Sequence, residues 1–339
     1  MKILELATYP VADSGSSALH AASPAAHAIS EQLALGFLAC ALIFSIVFGA
    51  IAWCVVRFRR RGEGPHPEPA QVLGNLRLEL TWTLLPFLLL VGLFTMTARA
   101  MHVADAPPIG APEIIVTGHQ WWWEARYVST SNANGFVTAN EIHIPVGRRV
   151  LLRIEAADVI HDFWVPQLAR KVDAIPGHPN AVWLEADELG SYSGTCAEYC
   201  GTQHAWMRLQ VVAQSPADYE QWLVAQRGSA AVATSASAER GSRLFKEKTC
   251  SNCHLVDSGS DNGNPGANPR PEFATAIAPN LAHVASRRWL AGGAIPNTTA
   301  RLADWLHDPA RAKPGARMPN LGLTPPEVTD LVSYLESLR

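Results

Sequence analysis

Two short stretches of the sequence concentrate its soft, electron-rich side chains. The first reads Cys196-Ala197-Glu198-Tyr199-Cys200-Gly201-Thr202-Gln203-His204-Ala205-Trp206-Met207, a C-x3-C-x3-H-x2-M spacing. Thiolate, imidazole and thioether together are a soft ligand set that suits copper. A second imidazole is offered upstream by His161, in Val159-Ile160-His161-Asp162-Phe163-Trp164. A single blue-copper ion needs one Cys, two His and a weak Met. The extra Cys leaves room for a second copper, with both thiolates bridging, one histidine on each ion, and Met207 and a backbone carbonyl in the weak positions. Two plainer readings compete. A Cys196–Cys200 disulfide accounts for the thiols but not for His204 and Met207 at fixed offsets. Zinc accepts two Cys and two His, but has little use for the thioether.

The second stretch is Cys250-Ser251-Asn252-Cys253-His254. C-x-x-C-H is the attachment signature of c-type heme. The two thiols add to the heme vinyl groups and His254 becomes the proximal axial ligand. Methionine is the usual second ligand in electron-transfer cytochromes. After His254 the chain has one methionine, Met318, which takes that place by elimination. His283 and His307 are the alternatives.

These sites need a scaffold. Residues 33–56 and 80–98 are uncharged apolar runs, and about 20 such residues cross a bilayer core. They predict transmembrane helices over about 33–56 and 79–98, the second tolerating Pro86. Cys40 and Cys54 fall in the first and are read as buried thiols. The intervening loop holds Arg57, Arg59, Arg60, Arg61 and Arg77 against Glu63 and Glu68, whereas Lys2 is the one fixed positive charge before the first helix. The positive-inside rule makes the loop cytoplasmic and everything after the second helix external. From residue 113, short β-branched and aromatic runs broken by Gly, Pro and Asn point to an all-β sandwich. Residues 228–238 form a small-residue linker. A helical domain follows, ending in an amphipathic helix with Val328, Leu331, Val332 and Leu335 on one face. Residues 257–271 read as a long surface loop. The expected divisions are a flexible N-terminal segment 1–30, a transmembrane hairpin 31–106, a copper domain 107–227, the linker 228–238 and a heme domain 239–339.

Composition narrows the options. Charged residues are 17% of the 339, against about 25% in ordinary soluble domains. A net charge of −3 gives a nucleic-acid binder no basic field to use. Six cysteines are too few for a disulfide-built scaffold.

Residues 30–225 resemble subunit II of cytochrome c oxidase. The resemblance lies in the C-x3-C box, the helical hairpin, Gly118-His119-Gln120-Trp121-Trp122-Trp123, His161-Asp162-Phe163-Trp164-Val165-Pro166 and Lys171-Val172-Asp173-Ala174-Ile175-Pro176-Gly177. The segment from about residue 239 resembles a class I cytochrome c, with Pro279-Asn280-Leu281 fitting the loop beside the proximal histidine. The implied fold is a two-helix transmembrane hairpin, an all-β cupredoxin sandwich and an all-α cytochrome c domain.

The resemblance also implies site roles. A dinuclear copper centre would be held by His161, Cys196, Cys200, His204, Met207 and the carbonyl of Glu198. The Glu198 side chain would bind a magnesium ion shared with subunit I. Trp121 matches the residue where electrons come in, although the family has Trp-Tyr-Trp where this chain has Trp122 in the middle. Trp122 and Trp123 are read as buried anchors. Glu79 matches a carboxylate at the cytoplasmic mouth of a proton channel, with a simple interfacial carboxylate as the plainer reading. Lys171 and Asp173 match positions near the subunit interface, as a salt bridge or on a proton-exit route.

The implied function is electron transfer from the fused heme c to the copper pair and on to subunit I, which reduces oxygen to water and pumps protons. The implied partners are subunits I and III, a cytochrome c or another periplasmic donor, and membrane lipid, in a bacterial inner membrane with both exported domains outside. Three rivals fit less well. A nitrous oxide reductase shares the copper box but is soluble and carries a large propeller. A membrane-anchored copper store leaves the heme domain unexplained. A quinol oxidase subunit lacks the cysteine box.

Overall fold

The computed structural model describes residues 17–59, 71, 74–105, 109–128, 135–230, 235–257 and 278–339. Lys2, Arg60, Arg61, Glu63 and Glu68 of the topology reading lie outside the described residues, as do parts of the linker and most of the 257–271 loop. The chain forms two compact units, one of His27–Ala106 and one of Met1–Ala26 with Pro107–Arg339.

The first unit is built on helices α1 (Pro24–Arg57) and α2 (Leu76–Ala104). Both are long and apolar enough to cross a membrane, and their apolar windows bury nothing within the chain. Such a surface is suited to lipid rather than to water. Each helix overruns its predicted span. For α2 the Asn75 side chain accepts from the amides of Arg77 and Leu78, which starts the helix at Leu76, three residues before Glu79 and a turn earlier than hydropathy suggests. Gln32 Nε2 donates to Thr97 Oγ1 at 2.9 Å, one polar bridge between otherwise apolar helices. Cys40 and Cys54 are exposed on α1, not buried within the chain as expected.

The N-terminal segment corrects another expectation. Residues 17–30 are not a flexible tail. Ser23 is fully buried. Its hydroxyl donates to the Leu168 carbonyl at 2.6 Å and accepts from the Ala26 amide at 3.0 Å. That is an N-cap followed by proline at the first helical position. Backbone bonds from Ala22 to Gln167 and from Asp187 to Ala22 pin the strip to the sandwich.

Among the described residues the sandwich has ten strands: β1 (Ile114–His119), β2 (Trp122–Tyr127), β3 (Phe136–Ala139), β4 (Glu141–Pro145), β5 (Val150–Ala156), β6 (His161–Trp164), β7 (Val172–Ala174), β8 (Asn180–Leu184), β9 (Gly190–Cys196) and β10 (Arg208–Gln214). One sheet runs β3-β2-β1-β5-β8 and the other β4-β10-β9-β6-β7. Their inner faces meet through Ile114, Val116, Trp123, Phe136, Ile154, Phe163, Leu184 and Leu209, all nearly inaccessible. This is the alternating apolar pattern of a face-to-face sandwich. A helix that the strand pattern did not announce, α3 (Pro216–Arg227), starts at a Ser215 cap and lays Tyr219 and Leu223 on this core.

In the C-terminal part, α4 (Ala236–Glu247) crosses α7 (Pro325–Ser337), with α5 (Thr299–His307) and α6 (Pro309–Ala312) between them in sequence. Gly241 makes the crossing close, because a Cβ there would overlap the Asp330 carbonyl. Phe245, Leu302, Leu306, Val328, Leu331 and Leu335 form a separate core.

Candidate metal centres

The first centre depends on strand pairing, since one of its histidines lies far from the cysteine box in sequence. β6 and β9 are antiparallel, with Phe163 opposite Cys196. That register places His161 beside the end of β9. His161 Nδ1 lies 3.9 Å from Cys196 Sγ, the two sulfurs are 3.7 Å apart, and His204 Nδ1 is 3.6 Å from Cys200 Sγ. Met207 Sδ lies 3.8 Å from Cys200 Sγ, and the Glu198 carbonyl oxygen 3.2 Å from Cys196 Sγ. Ligand atoms held about 2.0–2.3 Å from one ion at tetrahedral angles stand about 3.3–3.8 Å apart. The donor set therefore has the spacing of a metal site and the chemistry of a copper one.

Electrostatics favour cations here. The Cys200 thiol, followed by His161 and neighbouring backbone groups, holds the Cys196 thiol well below its ordinary range. Cys200 is pushed the other way by Cys196 beside it and by burial. Two buried thiolates this close cannot both ionise cheaply without positive charge between them.

Residues beyond the predicted ligands orient the centre. Asp158 Oδ1 lies 2.8 Å from His161 Nε2, which turns Nδ1 toward the sulfurs. Burial alone would raise the Asp158 carboxyl, but His161 and the Val159 and Gln120 amides hold it down at about 2. Gly118 clears space for the His161 ring, since a Cβ there would sit 2.7 Å from His161 Cδ2. Burial lowers His119 to about 4; it stacks on Trp122 at 4.2 Å, and its Nε2 has no hydrogen-bond partner among the described residues. The sequence reading missed both Asp158 and His119.

Trp121 is tied to the same loop. Its Nε1 donates to the Cys200 carbonyl at 3.0 Å, Gln120 Nε2 donates to the same oxygen at 2.7 Å, and the Gln120 amide donates to Asp158. Trp123 is fully buried, edge-on to Phe163 and His161. The Glu198 side chain is exposed and accepts from the Tyr199 amide at 3.2 Å. Asp173 faces Asp162 across β6 and β7. Burial, and then this neighbour, push the Asp162 carboxyl up to about 7. Glu79 occupies the first turn of α2, where a carboxylate also suits the helix dipole.

The second centre lies on the turn Cys250–Asn252 and the residues after it. His254 Nδ1 lies 2.7 Å from the Pro279 carbonyl oxygen. That bond puts the ring proton on Nδ1 and leaves Nε2 as the lone-pair nitrogen, the state an axial ligand needs. Cys250 and Met318 border the same apolar core. Of the alternatives to Met318, His283 is buried with Nε2 3.1 Å from the Gly228 carbonyl, and His307 is exposed at the end of α5. The donor set fits a covalently attached heme.

Comparison with known proteins finds relatives for each part of the chain. The family profile "Cytochrome C oxidase subunit II, transmembrane domain" matches residues 14–97. "Cytochrome C oxidase subunit II, periplasmic domain" matches 126–214, and "Cytochrome c" matches 238–339. The chain is 35% identical over 332 residues to cytochrome c oxidase subunit 2 of Alkalihalophilus pseudofirmus, covering 95% of this chain and 91% of that protein. It is 33% identical over 304 residues to cytochrome c oxidase subunit 2 of Bacillus subtilis, covering 85% and 82% respectively. The periplasmic domain of subunit II of cytochrome oxidase of Bradyrhizobium japonicum is 29% identical, with a TM-score of 0.32, covering 35% of this chain and 94% of that structure. The chain belongs to the cytochrome c oxidase subunit 2 family and carries a cytochrome c domain in addition to the two subunit II domains.

Proposed function

We propose that this chain is the electron-input subunit of a heme-copper oxidase. It accepts electrons from a donor outside the cytoplasm through its heme c domain and delivers them through a two-copper centre to subunit I, where oxygen is reduced to water and protons are pumped. The convergence of His161, Cys196, Cys200, His204, Met207 and the Glu198 carbonyl from separate segments is the observation that carries this reading. When bound, the heme and the copper pair supply one-electron carriers.

The protein residues have separable roles. Cys196 and Cys200 would hold the coppers through their thiolates, and His161 and His204 through their imidazoles. Asp158 holds the His161 ring in its ligating tautomer. Burial of Cys196, Cys200 and Met207 keeps water from the ligand atoms. Cys250 and Cys253 would anchor the heme, and His254 and Met318 would bind its iron. Trp121, bonded to the Cys200 carbonyl, is where electrons come in. The exposed Glu198 carboxylate is free to face a magnesium ion shared with subunit I. Glu79 is assigned to the cytoplasmic mouth of a proton channel, supported by its place in the first turn of α2. The arginine-rich loop between the helices puts that end in the cytoplasm, with both exported domains outside a bacterial inner membrane and subunit III and lipid as further neighbours.

Trp121→Leu tests this reading. In membranes containing the assembled oxidase, donor-driven oxygen uptake should fall about tenfold or more, corresponding to a barrier rise of about 1.4 kcal/mol, while copper and heme contents stay unchanged. Full uptake with both cofactors retained would remove Trp121 from the route.

A further inference from the structure

We propose that the heme domain is latched onto the copper face of the sandwich by the turn at Gly292–Gly293 and by Arg317, and that this seat closes the Trp121 surface to a separate donor protein. The proposal rests on the preceding assignment of Trp121. Three sets of contacts make the seat.

The first is a backbone join. In the sandwich the Gln210 amide donates to the Asn140 carbonyl at 2.9 Å, and two residues earlier the Arg208 amide donates to the Gly292 carbonyl at 2.8 Å. The heme domain thus continues the β10 edge past the end of β4. The fit is tight on the other side of the turn. A Cβ on Gly292 would lie 2.7 Å from the Trp121 carbonyl oxygen, and one on Gly293 would lie 2.9 Å from the Arg208 backbone. Both residues have φ in the left-handed region, +73° and +76°, which glycine adopts without penalty.

The second involves the loop that carries Met318. The Arg317 guanidinium lies 4.9 Å from the centre of the Trp121 ring, within cation–π range. Its Nη2 donates to Gln120 Oε1 at 2.5 Å. Gln203 Nε2, from the copper loop, donates to the Pro314 carbonyl at 2.7 Å. Lys313, only 3% exposed, donates through Nζ to the Ala291 carbonyl at 2.7 Å and ties this loop to the glycine turn.

The third is polar and buried. The Arg288 amide donates to Glu141 Oε2 at 3.0 Å, while Glu141 Oε1 bonds His143 Nε2 at 3.0 Å. Trp121 therefore has the Cys200 carbonyl on its indole nitrogen and Arg317 over its ring. The two ligand loops meet at one side chain. A soluble donor is left to reach the chain through the heme domain.

Hydrogen exchange on the full detergent-purified chain, loaded with copper and heme, tests the latch at the Arg208 and Arg288 amides. The latched chain protects both. Gly292→Ala should speed exchange at both by about tenfold or more, because overpacking against the Trp121 backbone typically costs about one to three kcal/mol. Gly322→Ala is the control. Gly322 has φ +62°, and a Cβ there would meet nothing within 4 Å. That variant carries the same backbone strain without the wedge and should leave both amides at wild-type rates. Open-chain exchange at both amides in the wild type would overturn the proposal, as would equal effects of the two alanines. Reduction of copper ahead of heme by a reduced soluble cytochrome would also overturn it. Absence of copper or heme from the wild type would instead defeat the functional assignment beneath it.

Discussion

Cys196→Ser or Cys200→Ser should abolish the mixed-valence two-copper signal in electron paramagnetic resonance, with loss of at least one copper per chain. The effect is large because the two adjacent sulfurs join the two halves of the ligand set. Cys196 Sγ is within 4 Å of His161 Nδ1, the Glu198 carbonyl and Cys200 Sγ, while Cys200 Sγ is within 4 Å of His204 Nδ1 and Met207 Sδ. A serine hydroxyl is a hard donor that does not ionise near neutral pH, so it replaces neither the charge nor the softness of the thiolate. The sandwich should survive, since serine is close to cysteine in size and the core of Ile114, Val116, Ile144, Ile154 and Leu184 is unchanged. Far-ultraviolet circular dichroism checks that point. A retained two-copper signal in either variant would remove that cysteine from the centre.

The second large effect concerns the heme. Cys250→Ser with Cys253→Ser should remove the c-type heme band that survives acid acetone, because thioether links are the attachment that resists extraction. Met318→Ala should keep the covalent heme but raise its affinity for external imidazole. Met318 is half-buried at the edge of the core that also borders Cys250, and its loss opens a ligand position without touching the attachment turn. Unchanged imidazole affinity in that variant would move the axial role to His307, whose exposure at the end of α5 makes it the poorer candidate. A heme lost to acid acetone from the wild type would mean that no thioether forms.

Much of the proposed copper site was legible because C-x3-C-x3-H-x2-M is local: one loop between β9 and β10 carries four of the proposed ligands. His161 was a weaker inference from the residues alone, because its approach depends on the β6–β9 register, and pairing between distant strands leaves little local trace. Asp158 was missed for a related reason. Its role appears only when the His161 ring is seen to use both nitrogens.

The hydropathy pattern found both long helices but not their starts, which are set by the Ser23 and Asn75 caps rather than by apolar content. Over residues 17–30 the flexible reading failed because small Ala and Ser residues are taken as loose, whereas Ser23 is buried and bonded to Leu168. The latch was not legible at all. Gly292, Gly293 and Arg317 resemble ordinary loop residues until the backbone of Trp121 and Arg208 is seen against them.

The most direct test of the account is a metal and heme count on the full chain, expressed without its partner subunits and purified in detergent. Two coppers and one covalent heme per chain, with a mixed-valence copper signal, is the expected result. One copper with a single-ion spectrum, zinc in place of copper, or a chain without covalent heme would contradict it.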